Sequence, residues 1–385
     1  MIGKLSIRIY KDRIPYIVVL LLFLPIVLFK VNNYGYYIAT VKIAVGFLFI
    51  LLYAKKLRQD DTEAWLWIVY CSIYILPYII NSTLTIKSAM VCLYPIGYFL
   101  FIYYSFKEYP DSMINAMYDT AFILCILYIL ILIYYKATSN LAEPILTDNH
   151  NGIPKYMAFV ATSVILRTNY YDKKYNLKDF FLILVSIIAV FLSGSTTGIL
   201  AFAIGFIVLM LPKIIDVKYE LIVYGVLFAS IIVLRYTSAS ITQFIFSTFN
   251  KNATFTHRTW RWDFALFHIK NHLLTGNSNL EREASNFAGY QVDLFNPHNA
   301  LLYILVYGGV FAAIIIVVLI IREGEVKYKY FTVFVAILLV EGLMESDMCP
   351  DSFVFATFLA LTAGLLSSSE TSERVKKSHK YMIKL

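Results

Sequence analysis

Charge is scarce in this chain. Asp, Glu, Lys and Arg together make up 15% of its 385 residues, whereas hydrophobic residues make up 59% and the mean hydropathy is +0.69. A water-soluble domain of this length would lack the polar surface needed to cover so much apolar side chain. The composition therefore excludes a soluble enzyme or binding module and predicts an integral membrane protein.

Cysteines and paired acidic residues are also few. Three of the four cysteines, Cys71, Cys92 and Cys125, fall inside apolar segments, and only Cys349 lies in a predicted loop. Neither a disulfide framework nor a cysteine-based metal site is expected. The predicted outer loops contain no Asp-x-Asp pair, so we expect no metal and no other cofactor. The net charge of +8 does not indicate nucleic-acid binding, because the basic residues are distributed according to the side of the membrane, as described below.

Long apolar runs fill most of the remaining sequence. They predict an all-α, polytopic bundle of about twelve transmembrane helices in a single domain over residues 1–385. The predicted spans are 14–29, 37–54, 65–81, 88–105, 119–135, 153–166, 180–193, 197–211, 221–235, 299–321, 330–345 and 352–366.

Lys and Arg residues set the predicted orientation. If the N-terminus lies in the cytoplasm and the spans alternate, most of the basic residues fall in cytoplasmic segments, as the positive-inside rule requires. Both termini are then cytoplasmic, with 367–385 as a basic tail. The long polar loop 236–297 lies on the outer, periplasmic face. A loop of that length is translocated largely regardless of its own charge.

The long loop contains a segment with helical spacing. Within 255–272, one helix face carries basic and imidazole groups and another carries aromatic rings: Arg258, Arg261, His268 and His272 on the first, Trp260, Phe264 and Phe267 on the second. This pattern predicts an amphipathic helix at the membrane surface, with its rings in the interface and its arginines toward a charged headgroup. Because the planar guanidinium suits phosphate, the segment indicates either a site for a pyrophosphate-linked lipid or an interfacial helix that contacts only lipid phosphates.

The next span opens with Asn296-Pro297-His298-Asn299. Asn296 is placed to cap the helix and Pro297 suits its first turn. His298 would then sit on a rigid helix end at the outer boundary, where an imidazole can take a proton from an attacking hydroxyl. The alternative is a helix start with a polar residue at the interface.

Two features lie deeper in the predicted bundle. Gly308 and Gly309 predict close helix packing. Glu341 lies within the eleventh predicted span, where an ionisable group is a functional candidate. Its alternative interpretation is a residue near the outer boundary whose carboxylate reaches water.

Together these residues resemble the O-antigen ligase and O-antigen polymerase superfamily. The resemblance rests on Arg258-x-x-x-Trp262, Ala265, His272, Gly276, Pro297-His298-Asn299 and Gly308-Gly309. Two shorter segments agree with it. Residues 148–152 are similar to the family's Asn-x-Asn stretch, and 193–198 are similar to its Ser-x-Ser-Arg-Thr-Gly turn. Thr196 stands where that turn usually carries an arginine.

The resemblance implies glycan transfer at the outer face of the bacterial inner membrane, from an oligosaccharide carried on undecaprenyl pyrophosphate. The residues it implicates are His298 and Arg258 in catalysis, and Arg261, His272, Asn299, Asn151 and Trp262 in substrate binding. Arg258 and Arg261 would stabilise the pyrophosphate leaving group and substitute for the arginine missing at position 196. The implied partners are the lipid-linked oligosaccharide, membrane lipid and a polysaccharide chain-length regulator.

The sequence does not show which acceptor receives the glycan. We expect an O-antigen polymerase, which joins lipid-linked repeat units. The alternative is an O-antigen ligase, which transfers the glycan to the lipid A core, and a polysaccharide flippase or transporter is less expected because the long loop is external and late. A transferase that uses polyprenyl-phosphate sugars would carry an acidic loop after the first span, and 30–36 contains no acid.

Overall fold

The computed structural model describes nine ranges of the chain: 11–24, 34–138, 152–211, 213–234, 258–278, 280–288, 295–325, 328–346 and 348–382. All regular secondary structure in these ranges is helical, so the all-α prediction is confirmed for this part of the chain. Asn151 and the adjoining residues 148–150 lie outside the described residues, as do residues 236–257 of the predicted long loop.

Fifteen α-helices occur in the described ranges. They are α1 (Ile14–Phe23), α2 (Tyr34–Tyr53), α3 (Thr62–Ile73), α4 (Leu76–Ile80), α5 (Ile86–Glu108), α6 (Pro110–Thr138), α7 (Gly152–Tyr170), α8 (Leu177–Leu192), α9 (Thr196–Met210), α10 (Val217–Leu234), α11 (Arg258–Asn271), α12 (Leu280–Ala288), α13 (Ala300–Gly324), α14 (Lys329–Gly342) and α15 (Phe353–Met382).

Five helical segments among the described residues are long and apolar enough to cross a bilayer. They are Tyr37–Lys56, Thr62–Ile80, Ile86–Glu108, Pro110–Leu130 and Ala300–Gly324. Membrane-helix character is therefore established, and the count of about twelve spans stays a prediction.

The core of the bundle is formed by three helices with apolar residues on every face. Every residue is buried over 94–106 in α5, 330–339 in α14 and 353–365 in α15. A helix that is apolar all round is stable only when other helices surround it. Aromatic rings fill much of this core; for example, Phe23, Tyr98 and Phe353 contact one another with centroids 4.5–5.1 Å apart.

Ion pairs concentrate at one end of the bundle, here called the basic end. The pairs are Arg13–Asp119, Lys56–Glu108, Lys107–Asp61, Arg167–Asp179 and Arg322–Glu63, with N···O distances of 2.6–3.6 Å. The Arg322–Glu63 pair joins the end of α13 to the start of α3, so these two helices run in opposite directions. At the other end, called the site end, Asn81 after α4 bonds Asn277 and Ser278, and Asn299 before α13 bonds Leu343 after α14.

Helix α13 is broken at Gly309, whose φ of 68° and ψ of −172° are not helical. The backbone N–H of Val310 donates to Leu273 O at 2.8 Å, and Val306 O accepts from the N–H of Asn277 at 2.7 Å. In an unbroken helix, the N–H of Val310 would instead donate to Val306 O. The turn 272–278 therefore docks into the break, with Gly276, Asn277 and Ser278 buried. The non-helical backbone of α13 is tolerated because the turn satisfies its hydrogen bonds.

We expect Gly309→Ala to reduce the amount of folded protein in the membrane. The backbone conformation of Gly309 is open almost only to glycine and costs other residues about 1–3 kcal/mol, and a Cβ here would overlap the Leu274 carbonyl. Gly225→Ala is the matched control, because that glycine lies in α10 and a Cβ added to it would meet no atom within 4 Å. The measurement is monodisperse yield and melting temperature in detergent; equal values for the two variants would contradict the role given to the break.

Candidate functional site

The two predicted catalytic residues meet on one carboxylate. Arg258, the first residue of α11, donates from Nη2 to Glu345 Oε1 at 2.7 Å. His298, just before α13, places Nδ1 3.2 Å from Glu345 Oε2. Glu345 follows the end of α14. Arg258, His298 and Glu345 are called the charge cluster below.

The charge cluster is partly open. The side chains of Arg258, Glu345 and His298 are 15%, 16% and 25% exposed. If Nδ1 of His298 carries the proton donated to Glu345, Nε2 is left as an acceptor. Within the described residues, Nε2 of His298 and the guanidinium N–H groups of Arg258 that do not contact Glu345 have no hydrogen-bond partner. The cluster can therefore accept a proton and still donate to an anion.

Neighbouring cations keep Glu345 ionised. Burial acts to raise the pKa of this carboxyl, but the hydrogen bond from His298 and the positive charges of Arg258 and Lys155 lower its pKa below the ordinary value. Lys155 lies in the first turn of α7. Glu345 therefore remains a carboxylate that fixes the orientation of both partners.

The turn before α13 places His298. Its backbone lies in the left-handed region, with φ of 49°, which is uncommon for a residue other than glycine and often marks a functional position. The backbone N–H of His298 donates to Asn296 Oδ1 at 2.7 Å, and Asn296 Nδ2 donates to Ser346 Oγ at 3.0 Å. Asn296 thus ties the histidine turn to the residue that follows Glu345.

The predicted cap of α13 is wrong. Asn296 does not cap the helix, because the left-handed backbone of His298 prevents a helix start there. Asn299 is the N-cap: its Oδ1 accepts from the N–H of Leu302, and its Nδ2 donates to Leu343 O, both at 3.0 Å. Asn299 is fully buried. The geometry gives it a structural role, and its contact with substrate stays a prediction.

Two other predicted binding residues hold the same turn from α11. The indole Nε1 of Trp262 donates to Pro297 O at 2.9 Å, and Trp262 is fully buried. Arg261 donates from Nη1 to Asn296 O at 2.9 Å, and its guanidinium lies 4.9 Å from the ring centroid of Trp260. These contacts position Asn296 and His298; any substrate contact by Trp262 or Arg261 stays a prediction.

The predicted surface orientation of α11 is wrong for Phe264, one of the three residues of its aromatic face. Phe264 is 2% exposed and packs against Phe295 with centroids 4.7 Å apart, whereas Phe267 remains 58% exposed. His268 is also buried, at 3% exposed, and desolvation lowers its pKa. The helix packs on α12 and α13 because its aromatic residues complete a second hydrophobic cluster.

His268 belongs to a polar network and not to the charge cluster. Its Nδ1 lies 3.1 Å from Asn277 Nδ2, and its Nε2 lies 3.2 Å from Glu283 Oε2. Asn277 in turn accepts from Asn81, which follows α4. His272 stacks on His268 with centroids 6.4 Å apart and an interplanar angle of 11°. The predicted role of His272 in substrate binding stays a prediction.

Helix N-termini collect at the site end. Ser195 caps α9 by accepting from the N–H of Gly198, and Gly198 lies against the ring of Pro154 near the start of α7, where a Cβ would overlap it. The turn 193–198 is therefore next to the turn of α7 that carries Lys155. Because helix N-termini bear partial positive charge, the starts of α7, α9 and α13 favour an anion at this end.

Glu341 lies one helical turn before Glu345, whose N–H donates to Glu341 O at 2.8 Å. The side chain of Glu341 is 3% exposed, so the interpretation that it reaches water at the boundary is wrong. Across the described ranges, no group of three or more His, Cys, Asp and Glu side chains is arranged to hold a metal ion.

Residues 181–317 match the model of the family described as O-antigen ligase. The resemblance to the O-antigen ligase and polymerase superfamily is thereby confirmed over this segment. None of the curated proteins matches the chain.

The O-antigen ligase match contains Arg258, Arg261, His272 and His298 but stops before Glu345. It supports an O-antigen polymerase or ligase type of function, because this is a glycosyltransferase-like enzyme family. Family members act on lipid-linked glycans, which agrees with the membrane helices found here.

Two residues of the site were missed by sequence reasoning. Glu345 and Lys155 are both remote in sequence from the long loop on which the predictions centred. The available signal for Glu345 was its position at the end of a predicted span, on the same side as His298 in the alternating scheme. Lys155 carried a similar signal, because it is a lone basic residue at the start of a span on that side.

Proposed function

We propose that the protein is an O-antigen polymerase that joins oligosaccharide repeat units carried on undecaprenyl pyrophosphate. The observation that carries this proposal is the charge cluster, in which Glu345 holds the guanidinium of Arg258 and the imidazole of His298 side by side. Arg258 and His298 both lie in the segment that matches the O-antigen ligase family. A pyrophosphate leaving group needs cations, and an attacking hydroxyl needs a base. The cluster offers both.

The pyrophosphate would lie where positive charge converges. Arg258 and Lys155 flank Glu345, and three helix N-termini point toward the same end. Arg258 contacts Glu345 through Nη2, so its other N–H groups can donate to phosphate oxygens. Thr196 begins α9 at this end, and we infer that Arg258 supplies the donor contact that an arginine there would make.

The proposed reaction is a direct displacement. The acceptor sugar's hydroxyl oxygen bonds to the anomeric carbon of the donor while the bond from that carbon to the pyrophosphate oxygen breaks. The pyrophosphate leaves with the bonding electron pair, and Nε2 of His298 takes the hydroxyl proton. The displacement inverts the anomeric centre. The residues of the charge cluster carry out these steps without a metal or other cofactor.

The proposed orientation follows from the two ends of the bundle. The basic end would face the cytoplasm under the positive-inside rule, which puts both termini and the 367–385 tail inside. The charge cluster and the 236–297 loop would then face the periplasm of the inner membrane. A chain-length regulator is proposed as a partner on that face, together with membrane lipid.

Ligation is the second candidate, favoured by the description of the matched family as O-antigen ligase. The surface polysaccharide of a deletion strain separates the candidates. We expect lipid A core carrying one repeat unit, as a lost polymerase produces. Bare core with accumulated lipid-linked polymer would assign ligation instead, and repeat units trapped on the cytoplasmic side would assign a flippase and overturn the proposal.

A further inference from the structure

A cavity of about 290 Å³ shares a wall with the charge cluster. Asn296 and Ser346 line it, and their side chains form a hydrogen bond with each other. Asn296 lies two residues before His298, and Ser346 directly follows Glu345. The cavity therefore lies directly beside the group proposed to accept the hydroxyl proton. The proposed function so far assigns no role to it.

Four tyrosines line this cavity, here called the tyrosine cavity: Tyr74, Tyr78, Tyr303 and Tyr307. The rings of Tyr303 and Tyr307 lie with centroids 4.7 Å apart. The Tyr307 hydroxyl donates to Phe295 O at 2.6 Å, and the Tyr74 hydroxyl lies 3.1 Å from that of Tyr70. The Tyr303 hydroxyl contacts no donor or acceptor among the described residues.

The polar groups of the cavity narrow the class of ligand. Asp351 is exposed and lines the same cavity, together with the amide of Asn296 and the hydroxyl of Ser346. Among its described lining residues there is no Lys or Arg, so an anionic headgroup is disfavoured. A hydrocarbon chain would leave the Tyr303 hydroxyl without a hydrogen-bond partner in the cavity. A sugar ring fits both requirements, because it has an apolar face of C–H groups and a rim of neutral hydroxyls.

We propose that the tyrosine cavity is a pyranose subsite, which binds one sugar ring of the glycan with a hydroxyl directed toward His298. This inference rests on the proposed function for the identity of the glycan, and it adds the place where a ring is held. Tyr303 is assigned as a specificity residue, whose hydroxyl bonds the sugar and whose ring, with that of Tyr307, packs on the C–H face.

The test measures binding of free oligosaccharide to the purified full chain in nanodiscs. The probe is the oligosaccharide released by mild acid from lipid-linked repeat units of a strain that lacks the protein. Tyr303→Phe should weaken its binding about fivefold, the loss expected for one hydrogen bond, because the ring and its packing are retained. Tyr128→Phe is the control, since that hydroxyl bonds Ala189 O in the bundle, away from the cavity.

The position of the bound oligosaccharide is tested by the reactivity of cysteine thiols. Cys349 and Cys92 line the tyrosine cavity and are both partly exposed. Saturating oligosaccharide should slow the alkylation of these two thiols by a small maleimide several-fold. It should not change the alkylation rate of a reporter thiol introduced at an exposed position of α11 by Lys270→Cys. Undiminished binding in Tyr303→Phe, or binding with no change at either cavity thiol, would overturn the subsite.

A second ligand separates this inference from the proposed function. Undecaprenyl pyrophosphate without sugar should bind the wild type and Tyr303→Phe equally. If it does not bind while the oligosaccharide does, the donor assignment fails and the subsite stands. A third probe, the same oligosaccharide carrying a diphosphate at its reducing end, identifies which sugar ring the cavity binds. If Tyr303→Phe weakens binding of this probe, the ring is the donor sugar. If Tyr303→Phe leaves the binding unchanged, the ring is the acceptor sugar.

Discussion

Replacing His298 with asparagine is expected to lower glycan transfer by about 10²–10⁴-fold, the range for loss of a general base. Asparagine is the informative choice because it tolerates the left-handed backbone that His298 adopts, with φ of 49°. Its amide can still donate to Glu345, as Nδ1 of the imidazole does at 3.2 Å. The variant therefore removes the proton acceptor and retains the turn and its contact.

The measurement is polymer length on the surface of a deletion strain that expresses each variant, with membrane insertion followed by immunoblot. Insertion should be unchanged. Glu345→Gln is the companion variant: it retains His298 but lessens the electrostatic hold on the imidazole, so its loss of transfer should be smaller. Near-normal polysaccharide from His298→Asn would exclude this residue as the base.

Hydropathy predicted most helices of this fold because apolar length alone decides whether a segment can be buried in a bilayer. The predicted span 88–105 corresponds to α5, and 299–321 corresponds to α13. The break at Gly309 was not predictable. It depends on the turn 272–278, which replaces the backbone bond lost within α13, and hydropathy contains no information about such a partner.

The site was predicted in part for a similar reason. Arg258 and His298 were identifiable because each belongs to a local sequence pattern, and the structure brings both to one carboxylate. Their junction, Glu345, is remote in sequence from both and has no motif of its own. Side chains that cap or anchor turns, such as Asn299 and Trp262, resemble ligand-binding residues in sequence, because the same polar groups serve both purposes.

Removal of the Arg258 side chain is the second change expected to have a large effect on glycan transfer. Arg258→Ala should lower transfer by about 10²–10³-fold, the range for loss of one preorganised donor to developing negative charge. It should also weaken binding of undecaprenyl pyrophosphate to the purified protein. Arg258→Lys should fall between alanine and wild type, because an ammonium keeps the charge but lacks the planar fork that matches phosphate. Lys270→Ala, on an exposed position of the same helix, should behave as wild type.

A double variant distinguishes phosphate binding from simple neutralisation of Glu345. If Arg258 served only to compensate the partly buried carboxylate, Glu345→Gln would relieve the defect of Arg258→Ala, since the unpaired charge would be gone. If Arg258 binds pyrophosphate, the double variant remains as inactive as Arg258→Ala and still binds the lipid weakly, although its melting temperature recovers. Recovery of both stability and transfer would contradict the assignment, because Arg258 would then act on the fold of the site and not on the leaving group.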